Sequence, residues 1–105
     1  MKYAIMVEQD TCDDPFYGRS VPIAKEFTAH GFTFYIVKHT QHYYKCIEAT
    51  TGACIGGMSQ KTVKEAYADA IKRLDWKHDL IAAALARWIA EHGLACDAPI
   101  QATYL

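Results

Sequence analysis

No stretch of this chain is apolar for long enough to cross a bilayer or to form the core of an export signal. Its first apolar run, Tyr3–Val7, ends at Glu8, whereas a membrane-spanning helix takes about 20 apolar residues. A cytoplasmic protein with no membrane partner is the expectation. An excess of one charge is missing too: 11 Lys+Arg stand against 12 Asp+Glu, for a net charge of -1. The chain therefore lacks the positive field of a duplex-binding protein and is too balanced to mimic nucleic acid wholesale. Cysteine is confined to positions 12, 46, 54 and 96, and without an export signal these read as reduced thiols rather than a disulfide framework. Internal repeats, low-complexity tracts and linkers are absent, as is any complete catalytic or nucleotide-binding motif. No cofactor is expected.

What is present is enough to build a core. Of 105 residues 51% are hydrophobic, which suits a single compact domain over residues 1–105 held together without metal or disulfide. Tyr3, Ile5 and Val7 alternate with Ala4, Met6 and Glu8, the pattern of a strand with one buried face. QDTCDDP then supplies turn formers, and Pro15 turns Asp14 away from helix, so a loop follows. FYGRSV reads as a short strand to about Arg19. A helix is predicted from Pro22 to His30, with Ile23 and Phe27 one turn apart and Gly31 placed to end it.

The stretch Phe32–Leu74 organises the rest. Phe32, Phe34 and Ile36 point one way, and Thr33, Tyr35, Val37 and His39 the other. A hairpin with a two- or four-residue loop centred on Thr40-Gln41 sets Phe34 against Ile47, Tyr35 against Cys46 and Val37 against Tyr44. Thr51-Gly52 turns the chain into a third strand, Ala53–Gly56. One face then holds Phe32, Phe34, Ile36, Ile47 and Cys54, and the other Tyr35, Val37, Tyr44, Cys46 and the two histidines. Ser59 is placed to start a helix whose Val63, Tyr67, Ala70, Ile71 and Leu74 form one stripe. Asp75–Asp79 breaks the pattern. A second helix follows from Asp79, carrying Leu80 or Ile81, Leu85, Trp88, Ile89 and His92 on one side, with Ala82–Ala84 allowing close backbone approach and Gly93 ending it. The tail PIQATYL reads either as an edge strand or as a frayed end. The fold class is therefore α+β: an antiparallel sheet of three to five strands packed against two C-terminal helices, with a ferredoxin-like arrangement as the alternative.

His39, His42, Cys46 and Cys54 are residue types that ligate zinc. Spacing argues against a site, because four residues along a strand put His42 and Cys46 roughly 13 Å apart. Glu8, Asp10, Asp13 and Asp14 lack the alternating ligands and central glycine of a calcium loop and read as a solvated acidic loop able to meet a basic surface. Cys12 beside acidic residues makes a poor thiolate. Cys46 and His78, and the pairs His78 with Asp79 and His30 with Cys46, are what a small enzyme would have to use; no catalytic set is marked. Tyr35, Tyr44, Lys38, His39 and Lys45 interleave aromatic with basic residues, as single-strand binders do. However, HYYKCIEA does not match the RNA-recognition consensus, and the second helix, with Arg87 its only arginine, reads as core rather than recognition helix. Tyrosine and histidine serve protein interfaces equally well.

The opening MKYAIMVEQD…FYGRSVP resembles the start of HicB-type antitoxins, which implies strand, acidic turn and strand of a partial ribonuclease-H-like domain. The resemblance ends at Pro22, where IAKEFTAHGFTF replaces that family's short glycine-and-cysteine turn, and no DNA-binding tail is evident. Thr51–Leu74, with its turn glycine, short strand and T-x-x-E-A helix, is similar to units of small phage and mobile-element proteins, including some anti-CRISPR proteins. That similarity implies a compact inhibitor or adaptor. The expected function is thus a non-enzymatic binding protein that occupies a macromolecular partner, preferably protein, as a phage or mobile-element inhibitor would. The contact set is Tyr35, His39, His42, Tyr44 and Lys45, with Asp13 and Asp14 second. A single-stranded nucleic-acid-binding module and a small enzyme using a Cys/His pair are the alternatives, and homodimerisation stays open.

Overall fold

A computed structural model describes residues 2–8, 16–94 and 100–101 of the chain. Five strands follow one another as an antiparallel meander: β1 (Tyr3–Glu8), β2 (Tyr17–Ala29), β3 (Phe32–Lys38), β4 (Tyr44–Glu48) and β5 (Cys54–Gln60). A single helix, α1 (Val63–His92), comes next, and a two-residue strand, β6 (Ile100–Gln101), pairs in parallel with Gly18 and Arg19 of β2. The α+β class and the antiparallel sheet are as expected from the sequence. The ferredoxin-like alternative is not, since every strand of the meander pairs with its sequence neighbour and no crossover helix separates β1 from β2. The acidic loop with Cys12, Asp13 and Asp14 lies outside the described residues, as do Cys96 and the tail apart from β6.

The helix predicted from Pro22 to His30 is instead the second half of β2. Its first half, Tyr17–Pro22, pairs with β1, and after a register shift at Ile23/Lys25 its second half pairs with β3. Phe27 and Ala29 alternate toward the same cluster as Phe32 and Phe34, and that cross-strand packing overrides the one-turn spacing of Ile23 and Phe27. His30 and Gly31, at φ 51° and 84°, form the two-residue hairpin turn in which both central residues take positive φ. Gly31 therefore closes a hairpin, not a helix.

Shared between two pairings and irregular between them, β2 lets the sheet curl. The curl returns β1 to the turn between β4 and β5, where the Val7 N–H donates to the Gly52 carbonyl at 2.9 Å. Gly52 sits at φ +68°, and a Cβ there would come within 2.5 Å of the Ile5 carbonyl oxygen. Only glycine meets both conditions. The turn itself is built on the buried Glu48 carboxylate, which accepts from the Thr51 N–H at 2.7 Å and from the hydroxyls of Thr50 and Thr51.

Pairing of β3 with β4 is one residue away from the expected register: Phe34 opposes Glu48, Tyr35 opposes Ile47, Ile36 opposes Cys46 and Lys38 opposes Tyr44. The His39 N–H donates to the Tyr43 carbonyl at 2.9 Å, leaving an odd-numbered loop, Thr40–His42. A one-residue shift exchanges the two faces of a strand. Tyr44 and Cys46 consequently join Phe34 and Ile36 beneath α1, together with Ala66, Ala70 and Leu74. Ile47 and Cys54 join Met6, Val21, Val37 and Tyr35 on the inner face of the curl. In β1, Met6 and Ala4 supply that inner face, whereas Tyr3 is 56% exposed. Both faces of the sheet are thus covered, one by the helix and one by the sheet's own curvature.

Thr62, not Ser59, caps α1: its hydroxyl accepts the Glu65 N–H at 3.0 Å and bonds the Glu65 carboxylate at 3.2 Å. Ser59 belongs to β5. Two helices were expected, with a break at Asp75–Asp79; the chain makes one helix, kinked where Lys77 takes φ -131° and ψ 30°. Gly93 ends it at φ 78°, its N–H bonded to the Ile89 carbonyl. Among the described residues no helix is long and apolar enough to cross a membrane.

Candidate functional site

The register shift divides the surface expected on the hairpin. Tyr35 is half-buried within the curl and Tyr44 half-buried beneath α1, on opposite sides of the sheet. Lys45 is half-buried on the inner side, and the His39 side chain is only 21% exposed. His42 remains exposed at the hairpin tip, beside Tyr43 at 39% exposure, a neighbour the sequence reading passed over. The five residues share no single aromatic face. Asp13 and Asp14 lie outside the described residues.

What His39 joins is a polar cluster at one end of the curl, where the parallel strands β1, β3 and β5 finish together. Glu8 ends β1, Tyr17 and Arg19 lie in β2, His39 follows β3 and Ser59 lies near the end of β5. Arg19, 2% exposed, reaches the Glu8 carboxylate at 3.1 Å and donates to the His39 carbonyl at 2.9 Å. The Tyr17 hydroxyl donates to the same carboxylate at 3.5 Å. His39 places Nε2 3.6 Å from Glu8 and Nδ1 3.2 Å from the Ser59 hydroxyl. Burial lowers the pKa of His39, the charges of Lys45 and Arg19 lower it further, and Glu8 opposes them. The ring is therefore neutral at pH 7, and the tautomer with Nε2–H toward Glu8 leaves Nδ1 to accept from Ser59. Chemically this is a hydroxyl beside a neutral base, wired to a carboxylate. Mechanically it ties β1, β2, β3 and β5 across the end of the curl. Alternation foretells the direction of each residue, since Glu8 continues Ala4 and Met6, Arg19 precedes Val21, and His39 continues Tyr35 and Val37. Their meeting depends on pairings between distant strands, which no local pattern encodes.

The other candidates separate. Cys46 and Cys54 are free thiols in different clusters. Burial, with lesser contributions from Cys54 and Asp69, pushes the Cys46 thiol up to about 12, and burial likewise raises Cys54. Neither thiol is ionised near neutrality, so neither is an activated nucleophile. His30 does not meet Cys46: it bonds Asp75 at 3.0 Å and stacks on His78 with ring centroids 4.5 Å apart, while His78 lies 3.2 Å from Asp79. Among the described residues no group of three or more His, Cys, Asp and Glu is arranged to hold a metal ion.

A second region spans the kink. Trp76 is 75% exposed and Leu80 66% exposed, and Ala83 lies exposed one turn on. Beneath this outer side a groove of about 260 Å³ separates β5 from α1, walled by Ile55, Trp76, Ile81, Leu85 and Trp88, with Arg73 and Lys77 also bordering it. Trp88 is seated by edge-on contact with Phe16 at 5.0 Å and by His92 at 4.7 Å. The Lys77 ammonium rests 4.4 Å from the centroid of the Trp76 ring. Sequence reading treated this alanine-rich helix as core, with Leu80 or Ile81, Leu85, Trp88 and Ile89 on one side; in the structure Leu85 is buried while Leu80 and Ile89 stay exposed. No family model, curated protein or solved structure matches this chain.

Proposed function

We propose that the protein is a non-enzymatic binding protein that acts by occupying a protein partner, and that its contact surface is the outer side of α1 from Trp76 onward. The observation carrying this reading is the exposure of Trp76 and Leu80 on one helical stripe. Aromatic and branched apolar side chains recurring every three to four residues are what a helix presents to a partner, and tryptophan is prominent among interface anchors. The small side chains at Ala83 and Ala84 let a partner's backbone come close. A balanced net charge agrees with a protein rather than a nucleic acid opposite this surface. His42, at the hairpin tip, is a separate feature and serves as the internal control. Host-cell extract passed over the wild-type protein, Leu80→Glu and His42→Ala, each verified as folded by circular dichroism, tests the assignment. The expected result is a partner retained by wild type and His42→Ala and lost with Leu80→Glu. Retention by Leu80→Glu at full yield overturns it.

A further inference from the structure

The groove under α1 carries chemistry that the outer stripe does not. Its walls are apolar, and its volume of about 260 Å³ lies close to the roughly 300 Å³ at which small-molecule sites begin. Both tryptophans of the chain line it. Trp88 is preordered by Phe16 and His92, so one wall needs no rearrangement to receive a ligand. Trp76, three-quarters exposed, is a wall free to lose solvent when the groove fills.

Two cations border this apolar space. Arg73 gives its Nε–H to Asp69 at 3.0 Å, which fixes the guanidinium while leaving its remaining donors uncommitted among the described residues. Lys77 has no carboxylate partner among the described residues, and its ammonium stands over the Trp76 ring. The nearest acidic side chains of the kink are engaged elsewhere, Asp75 with His30 and Asp79 with His78. We infer that the groove between β5 and α1 is a binding site for a small carboxylate with an apolar body, its chain or ring between Ile55, Ile81 and Trp88 and its carboxylate against Arg73 and Lys77. The site shares Trp76 and Ala84 with the proposed partner stripe, whereas Leu80 belongs to the stripe alone and takes no part in lining the groove.

Because the two tryptophans both line the groove, intrinsic fluorescence reports on this site directly. Octanoate, octanol and octylammonium are titrated below the concentrations at which they form micelles. A saturable blue shift with octanoate is expected, with octanol at least tenfold weaker and octylammonium without effect. Arg73→Gln combined with Lys77→Gln should abolish the preference for octanoate over octanol. Ala84→Phe, which fills the groove from an exposed position, should abolish the shift. A photoreactive fatty carboxylate, with its attachment mapped by mass spectrometry, provides the second readout should Ala84→Phe fail to fold. Labelling confined to Ala53–Ile55 and the 73–88 segment supports the site. The inference is overturned by a shift that does not saturate, by equal affinity for octanol and octanoate, or by labelling spread over the surface. Leu80→Glu should leave octanoate binding intact, which separates failure of this site from failure of the partner surface.

Discussion

The two halves of α1 have the same local chemistry and different surroundings. From Val63 to Trp76 the helix buries Ala66, Ala70 and Leu74 against Phe34, Ile36 and Cys46; from Lys77 to His92 it buries Leu85 and leaves Leu80 in solvent. Apolar residues recur at helical spacing in both. The first half lies on the sheet, and the second runs past β5 to reach Phe16. Periodicity therefore identifies a helix with an apolar stripe, while burial of that stripe depends on how far the sheet extends beneath it.

Truncating one leucine in each half sets the largest expected effect against the smallest. Leu74→Ala should cost about 2–5 kcal/mol in chemical denaturation, the range for a large-to-small change in a packed core. A loss below 1 kcal/mol would mean that the first half is not anchored as described. Between the extremes lies the polar end of the curl. Because the folded-state pKa of His39 is lowered from 6.5, the unfolded chain takes up this proton more readily. Its contribution to stability is then fully present above about pH 6.5 and is lost as pH falls through and below that value. Denaturation midpoints measured from pH 7.5 down to pH 5 should decline for the wild type and decline less for His39→Gln. Equal slopes would show that burial and the neighbouring Lys45 and Arg19 charges do not hold the ring neutral. Smallest of all, Leu80→Ala should stay within about 0.5 kcal/mol of wild type in the same denaturation assay, as exposed positions do. A larger loss would place Leu80 in the core and remove the contrast between the halves.

Much of the framework is legible locally. β1 and β3 are strands as read, although in β1 Met6 and Ala4 rather than Tyr3 supply the inner face; Phe34 and Ile36 lie beneath α1, and Gly93 closes the helix where its position in the pattern says it should. Less legible was β2. Ile23 and Phe27 satisfy a helical spacing, Phe27 and Ala29 satisfy a strand spacing, and only β3 alongside decides between them. The expected site suffered from a smaller ambiguity with larger consequences. An odd rather than even loop after His39 turned Tyr44 and Cys46 to the helix side and Ile47 to the inside, so the aromatic surface read from the hairpin became two half-buried edges. The exposed Trp76 and Leu80 were visible as residues, but their exposure was not.

The sequence by itself determined that β1, β3 and β4 are strands, where α1 stops, and that the sheet is antiparallel with a helix behind it, because these follow from side-chain direction and turn chemistry within a few residues. Tertiary structure alone decided that β2 is extended to Ala29, that both faces of the sheet are covered, and that Glu8, Arg19, His39 and Ser59 meet. It also decided that α1 outruns its support. Each of these depends on contacts such as Val7 with Gly52, made between residues far apart in the chain. A periodic pattern states the direction of a side chain, and only the arrival of a distant strand or helix states what covers it.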